Sequence, residues 1–327
     1  ATRSIFREPS RSGSRTTRSG DLTMNYNWAP IIGRYERIEN GIVFKGDVFM
    51  FNEQPAPALG SFICDQPFGG GTISAEIEFT NVQDQCTCEL IVWFDPNTKN
   101  FVSAGFGPSA LYTIRQFTNQ WVDHATVGDR KNIEANRPYK VRVNVRGSFV
   151  NLTVDGVRVC SAALPFTIPQ SQAGVWCQGF SDINIRNFTV DREIPTVFVV
   201  MQFTTPFNEL YEEVIKKVCA EFQLKAVRAD ETFGPGIIIA DIAKQILDSK
   251  IIIADITPKN PNVYYEVGYA HALNKPTILI AEKPAELPFD VSGFRTLFYE
   301  NSICGKAKIE EGLRKHIQAI LNDRYGA

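Results

Sequence analysis

An all-β sandwich followed by a parallel, doubly wound α/β domain is the architecture implied by these 327 residues. Three observations carry it. Short runs in the first half alternate apolar and polar residues, runs in the second half are continuously apolar and separated by helical patterns, and the change falls near Pro195. A chain of this length accommodates about two domains.

The charge balance, 34 Lys and Arg against 36 Asp and Glu for a net −2, excludes a chain devoted to gripping a phosphate backbone or an anionic membrane. Nucleic acid is therefore not expected as the main partner. With 44% hydrophobic residues, disorder over most of the length is excluded. No run of 18 apolar residues occurs, so no membrane span is expected. Residues 1–22 carry Arg3, Arg7, Arg11, Arg15 and Arg18 among Ser and Thr with no apolar stretch, and are expected to form a flexible arm rather than a signal peptide. Such an arm is either a solvated tail or a contact for nucleic acid, an acidic partner or a neighbouring subunit. The seven cysteines lack metal-ligand spacing, Cys86-Thr-Cys88 being only a CxC, and the chain has three His. They read as reduced, mostly buried thiols of a cytoplasmic protein with no metal site.

Residues 23–192 make the sandwich. Strands are expected within Ile42–Phe51, Ser74–Phe79, Cys88–Phe94, Val102–Phe106, Leu111–Arg115, Tyr139–Arg146, Phe149–Val154 and Val157–Ser161. The clearest turn is Asp155-Gly156 between two alternating runs, because a two-residue hairpin turn of this kind needs positive φ at both positions. Trp93, Trp121 and Trp176 fill the core or stack on a sugar ring.

Residues 195–327 make the second domain. Apolar runs at Thr196–Met201, Leu224–Val227, Lys250–Ala254, Pro276–Ala281 and Thr296–Tyr299 alternate with helical spacing at Phe207–Phe222, Ile237–Ser249, Pro261–Asn274 and Lys306–Leu321. Right-handed crossovers then place the loops after the strands around a ligand crevice. Asn260-Pro261 is a helix start, with an amide to cap free N–H groups and proline where no donor is lost. The helix that follows is apolar or aromatic on nearly every side, which predicts burial, and only Glu266 and His271 interrupt it. A buried carboxylate needs a reason. Glu266 either fastens the helix to a backbone group or to Arg228 or Arg295, or works in the crevice. Gly268 is expected to mark a close approach. His271 lies five residues on, pointing away as a surface or interface histidine.

Two resemblances sharpen these readings. The strand pair YKVRVNVRGSFVNLTVDGVRV with the closing AGVWCQGFSDINIRNFTV resembles concanavalin-like and laminin-G-like jelly-roll sandwiches. That implies a sensor or assembly module with a glycan, protein or small-molecule ligand. The segment IIIADITPKNPNVYYEVGYAHALNKPTILI, with VFVVMQF before it and LPFDVSGFRTLFY after it, resembles the toll/interleukin-receptor (TIR) domains and the nucleoside 2-deoxyribosyltransferase-like proteins. Its most specific part is Glu266, Gly268 and Ala270. This resemblance implies a flavodoxin-like sheet and cleavage of an N-glycosidic bond, with Glu266 as the catalytic carboxylate. Phe203, Asp230, Asp255, Asn262 and Tyr265 become the candidates for holding sugar and base.

Within that superfamily, deoxyribosyltransferases usually carry an acidic residue shortly before the glutamate. Here Asn260 and Asn262 stand instead, which favours NAD+, whose nicotinamide leaves without strong acid assistance. The expectation is thus a TIR-like NAD+ glycohydrolase using NAD+ as substrate and no cofactor, homo-oligomeric, serving bacterial defence against phage under control of the sandwich. The alternatives are a nucleoside 2-deoxyribosyltransferase-like enzyme and a module that binds a nucleotide signal or another TIR domain without turnover.

Overall fold

The computed structural model describes residues 26–82, 86–231, 238–257, 259–284 and 287–322. The Arg-bearing arm expected at residues 1–22 lies outside them.

The first strands are β1 (Trp28–Ile32), β2 (Tyr35–Ile38), β3 (Gly41–Phe44), β4 (Val48–Phe51), β5 (Gln54–Phe68), β6 (Gly71–Phe79), β7 (Thr87–Phe94) and β8 (Phe101–Phe106). They continue as β9 (Tyr112–Phe117), β10 (Trp121–Val127), β11 (Pro138–Arg146), β12 (Phe149–Val154), β13 (Val157–Ala163), β14 (Ser171–Gly179) and β15 (Ile183–Arg192). Two antiparallel sheets result, one in the order β1-β5-β14-β7-β8-β9-β10 with β4 added beside β5, the other β13-β12-β11-β6-β15-β3-β2. Alternation decides which side chains meet between them. In β6 every second residue, from Gly71 through Ile73, Ala75 and Ile77 to Phe79, is buried, and the last four join the core with Val141, Val143 and Val145 of β11.

Asp155 and Gly156 adopt φ of 48° and 82°, so the β12–β13 hairpin turns as the dipeptide requires. The expected strand Ile42–Phe51 is instead two, β3 and β4, because the chain turns at Lys45–Asp47 to pair β4 with β5. All four residues of β4 are exposed. Prolines 55 and 57 hide β5 from a sequence reading, yet they are tolerated because that end of β5 pairs only with β4 at the sheet margin. Strands β7 and β8 are buried on both sides, since Ile91, Phe94, Phe101 and Trp176 form a second apolar cluster on the face turned away from the core. Six of the seven cysteines are buried and Cys304 is exposed; none is in a disulfide.

The second half forms one parallel sheet from β16 (Thr196–Val200), β17 (Lys225–Arg228), β18 (Ile251–Asp255), β19 (Thr277–Glu282) and β20 (Thr296–Tyr299), ordered β17-β16-β18-β19-β20. Helices α1 (Phe207–Leu210) and α2 (Lys216–Glu221) run on through a π-type turn at Tyr211–Ile215. The others are α3 (Ile238–Asp248), α4 (Pro261–Ala272), α5 (Phe289–Ser292) and α6 (Ile303–Asn322). Strand residues divide by parity. Val197, Val199, Ile251 and Ile253 pack on Tyr211, Val218, Leu313 and Ile317, whereas Phe198, Val200, Ile252 and Ala254 pack on Ile246, Val263 and Val267. Burial on both faces explains why these strands read as unbroken apolar runs. Among the described residues no helix is long and apolar enough to cross a membrane.

The two halves touch where the β11–β12 turn meets the end of α3. Gly147 sits there with φ of 57°, and a Cβ on it would stand 2.6 Å from the carbonyl oxygens of Leu247 and Ser249. Only glycine fits that turn.

Candidate functional site

At the carboxyl ends of β16, β17 and β18, with the strand order reversing between β16 and β18, the chain leaves an open cleft of about 1280 Å³. A parallel sheet places ligands at such a position. Its walls come from the segment after β16, the turn at Ala229–Asp230 after β17, the first part of α3 and the first turns of α4.

Helix α4 begins as its sequence dictates: the Asn260 side chain accepts a hydrogen bond from the Asn262 N–H at 3.0 Å, and Pro261 occupies the first turn. This fixes Asn262, Tyr265 and Glu266 on the cleft wall. The Glu266 side chain is half-buried and has no hydrogen-bond or ion-pair partner among the described residues. Neither Arg228 nor Arg295 fastens it. Burial alone pushes its carboxyl up to about 7, with no neighbouring cation to hold it down.

Opposite stand Phe203, 46% exposed, and Asp230. Asp230 is held by Arg228, whose Nε and Nη2 each donate to its carboxylate at 2.7 Å. Arg228 is itself buried, donates from Nη1 to Asn208 Oδ1 at 2.8 Å, and lies over the rings of Tyr211 and Phe203 at 4.5 and 5.1 Å. A bidentate guanidinium fork thus sets the direction of one cleft wall. Tyr265, 59% exposed, presents its ring at the opposite rim.

Five of the six expected site residues, Phe203, Asp230, Asn262, Tyr265 and Glu266, therefore meet at one cleft. Asp255 does not. It is buried, accepting from the Thr257 N–H at 2.9 Å and from the Tyr299 hydroxyl at 2.7 Å, and so ties the end of β18 to β20 rather than reaching ligand. Its carboxyl is raised to about 7 by burial, opposed by the Tyr299 hydrogen bond.

Two further expectations are corrected. Helix α4 is buried along Val263, Val267 and Ala270 only, and a Cβ on Gly268 would meet nothing within 4 Å, so that glycine marks no close approach. Residues the sequence reading missed are Ile239 and Ile242 on α3, which line the cleft. The sign was a third isoleucine in a row at 237–239, more than a core stripe needs; Ile239 is 59% exposed. His271 stacks on Phe294 with ring centroids 4.2 Å apart, away from the cleft. Among the described residues no group of three His, Cys, Asp or Glu could hold a metal ion.

No family model matches the chain, and no curated protein matches it. Among solved structures, carbohydrate-binding module CBM66 from Bacillus subtilis is similar to it with a TM-score of 0.42 and 16% identity over 50% of this chain and 93% of the module. A Bacillus licheniformis β-glucanase gives 0.33 and 12%, over 50% of this chain and 92% of its own. The TIR domain of the Toll-related receptor TRR-2 from Hydra magnipapillata gives 0.32 and 18%, over 38% of this chain and 98% of that domain. Likeness at this level says nothing about activity.

Proposed function

We propose that the cleft hydrolyses the nicotinamide–ribose bond of NAD+, with Glu266 as the catalytic carboxylate. The observation that carries this reading is an unpaired, half-buried carboxylate on the wall of an open cleft at the strand carboxyl ends. The order 2-1-3-4-5 is that of flavodoxin-like doubly wound sheets, and it supports the TIR-like reading of residues 195–327.

In the proposed reaction, the ionised Glu266 lies beneath the anomeric carbon and stabilises the oxocarbenium-like centre as the C–N bond breaks. The bonding pair leaves with the ring, neutralising the nicotinamide cation, so no acid is needed. Water adds to the anomeric carbon and releases a proton, giving ADP-ribose, nicotinamide and H+. Asn262 and Asp230 hold the ribose hydroxyls, and Phe203 and Tyr265 supply ring faces for stacking. Absence of an acid at positions 260 and 262 sets NAD+ ahead of a deoxynucleoside, whose base must be protonated to leave.

The same proposal makes the protein a cytoplasmic homo-oligomer in bacterial defence against phage, with the sandwich as its sensing or assembling module. Incubating the full chain with NAD+ and following nicotinamide tests it: release by the parent and none by Glu266→Gln is expected. Base exchange between deoxynucleosides without NAD+ cleavage would replace this reading by the transferase one, and neither activity would leave a binding module.

A further inference from the structure

A second cavity, of about 460 Å³, lies between the two halves, under the loop joining β13 to β14 and against the amino-terminal edge of the parallel sheet. Its polar side chains are Lys250, Lys275, His271, Asn274, Thr167 and Thr277, and its lining contains no Asp or Glu. Lys275 is committed, donating from Nζ to the carbonyl oxygens of Leu247 at 2.6 Å and Ser249 at 2.9 Å. Lys250 is not. It is only 8% exposed and has no hydrogen-bond or ion-pair partner for its ammonium among the described residues; burial lowers its pKa and no carboxylate counters that. Thr167 Oγ1 is buried without a partner as well. Phe166, Phe294 and Ile320 make the remaining wall largely apolar.

An ammonium this enclosed and without a counter-charge is costly, and a purely packing position would be served as well by methionine. Lys250 also borders the neighbouring cleft under residues 193–195, where Glu193, Asp241 and Asp248 stand among Arg146, Lys225 and Lys244, so carboxylates are present on that side and absent from this one. The asymmetry between the two sides decides what fits.

We infer that this cavity binds a small organic anion, an apolar body carrying one carboxylate or phosphate group, with the charged head on Lys250 and Thr167 and the body against Phe166 and Phe294. The site is independent of the reaction assigned to Glu266. It touches the sandwich through Phe166 and Thr167 and the parallel domain through Lys250 and His271, and His271 lies on α4, the helix that carries Glu266. Occupancy therefore bears on how the two halves sit together.

Calorimetry on the full chain with phenyl phosphate, benzoate, inorganic phosphate and neutral benzamide tests the inference. Saturable binding of phenyl phosphate or benzoate at one site per chain is expected, at least about tenfold weaker in Lys250→Met, retained in Lys250→Arg and unchanged in Glu266→Gln. Which aryl anion binds distinguishes a phosphate from a carboxylate ligand. Without ligand, Lys250→Met is expected to melt no lower than the parent, because it removes an unpaired buried charge. Binding of neither aryl anion, equal binding by Lys250→Met, equal binding of benzamide, or a large drop in the melting temperature of ligand-free Lys250→Met would overturn the proposal.

Discussion

Two carboxylates, one buried in the sandwich and one half-buried in the parallel domain, show what burial means and what it does not. Glu89, in the centre of β7, is fully enclosed. Arg115 Nε stands 2.7 Å from its Oε1, the Ser103 hydroxyl donates to Oε2 at 2.5 Å, and the Thr113 hydroxyl reaches Oε1 at 3.3 Å. Trp121 closes over the guanidinium at 3.5 Å. Burial raises the Glu89 carboxyl, and Arg115 opposes it. Glu266 is less buried, yet it has none of these partners and faces an open cleft. Burial by itself is a structural state; burial without a partner beside a cavity is the observation on which the role proposed for Glu266 rests.

The largest stability effect belongs to the sandwich. Glu89→Ala leaves the Arg115 guanidinium enclosed without its counter-charge, and a loss of about 3–5 kcal/mol is expected by denaturant titration. Replacing both, Glu89→Met with Arg115→Met, removes the stranded charge and is expected to recover most of that loss. A double variant as unstable as the single one would break the comparison, since the pair would then not be the unit.

Next come the cleft walls. Phe203→Ala and Tyr265→Ala each remove one exposed ring and are expected to raise KM for NAD+ about 3- to 10-fold, with melting temperatures unchanged. Unaltered KM in both would detach the rings from substrate.

The remaining effect is the pH dependence of stability at Glu266. Its folded carboxyl, raised from the ordinary 4.5 to about 7, binds protons more readily than the unfolded one, so its ionisation erodes stability as pH rises between those values. Relative to the parent, Glu266→Gln is therefore expected to melt higher at pH 8 and to lose that advantage near pH 4. Equal differences at both would mean that the carboxyl titrates normally.

Much of this was legible in local patterns. The Asp155-Gly156 turn, the Asn260-Pro261 helix start and the apolar runs of β16, β18 and β19 each follow from steric or hydrogen-bonding demands of a few neighbouring residues. So did the convergence of Phe203, Asp230 and Glu266, because residues after parallel strands share one end of the sheet. Asp255 was misplaced because sequence gives the strand end but not the inward direction of the side chain or the reach of Tyr299, 44 positions away. The cavity around Lys250 was invisible for the same reason, being built between the two halves of the molecule, and the fork of Arg228 on Asp230, though only two residues apart, depends on side-chain directions that the sequence does not give.

The central claim is that the unpaired carboxylate, not the paired one, does chemistry. Nicotinamide release from NAD+ by Glu266→Gln and Glu89→Gln, compared at equal folded fraction with the parent, tests it most directly. The account predicts a fall of at least about 10³-fold for Glu266→Gln and parent-like release for Glu89→Gln. Release at the parent rate by folded Glu266→Gln would contradict it.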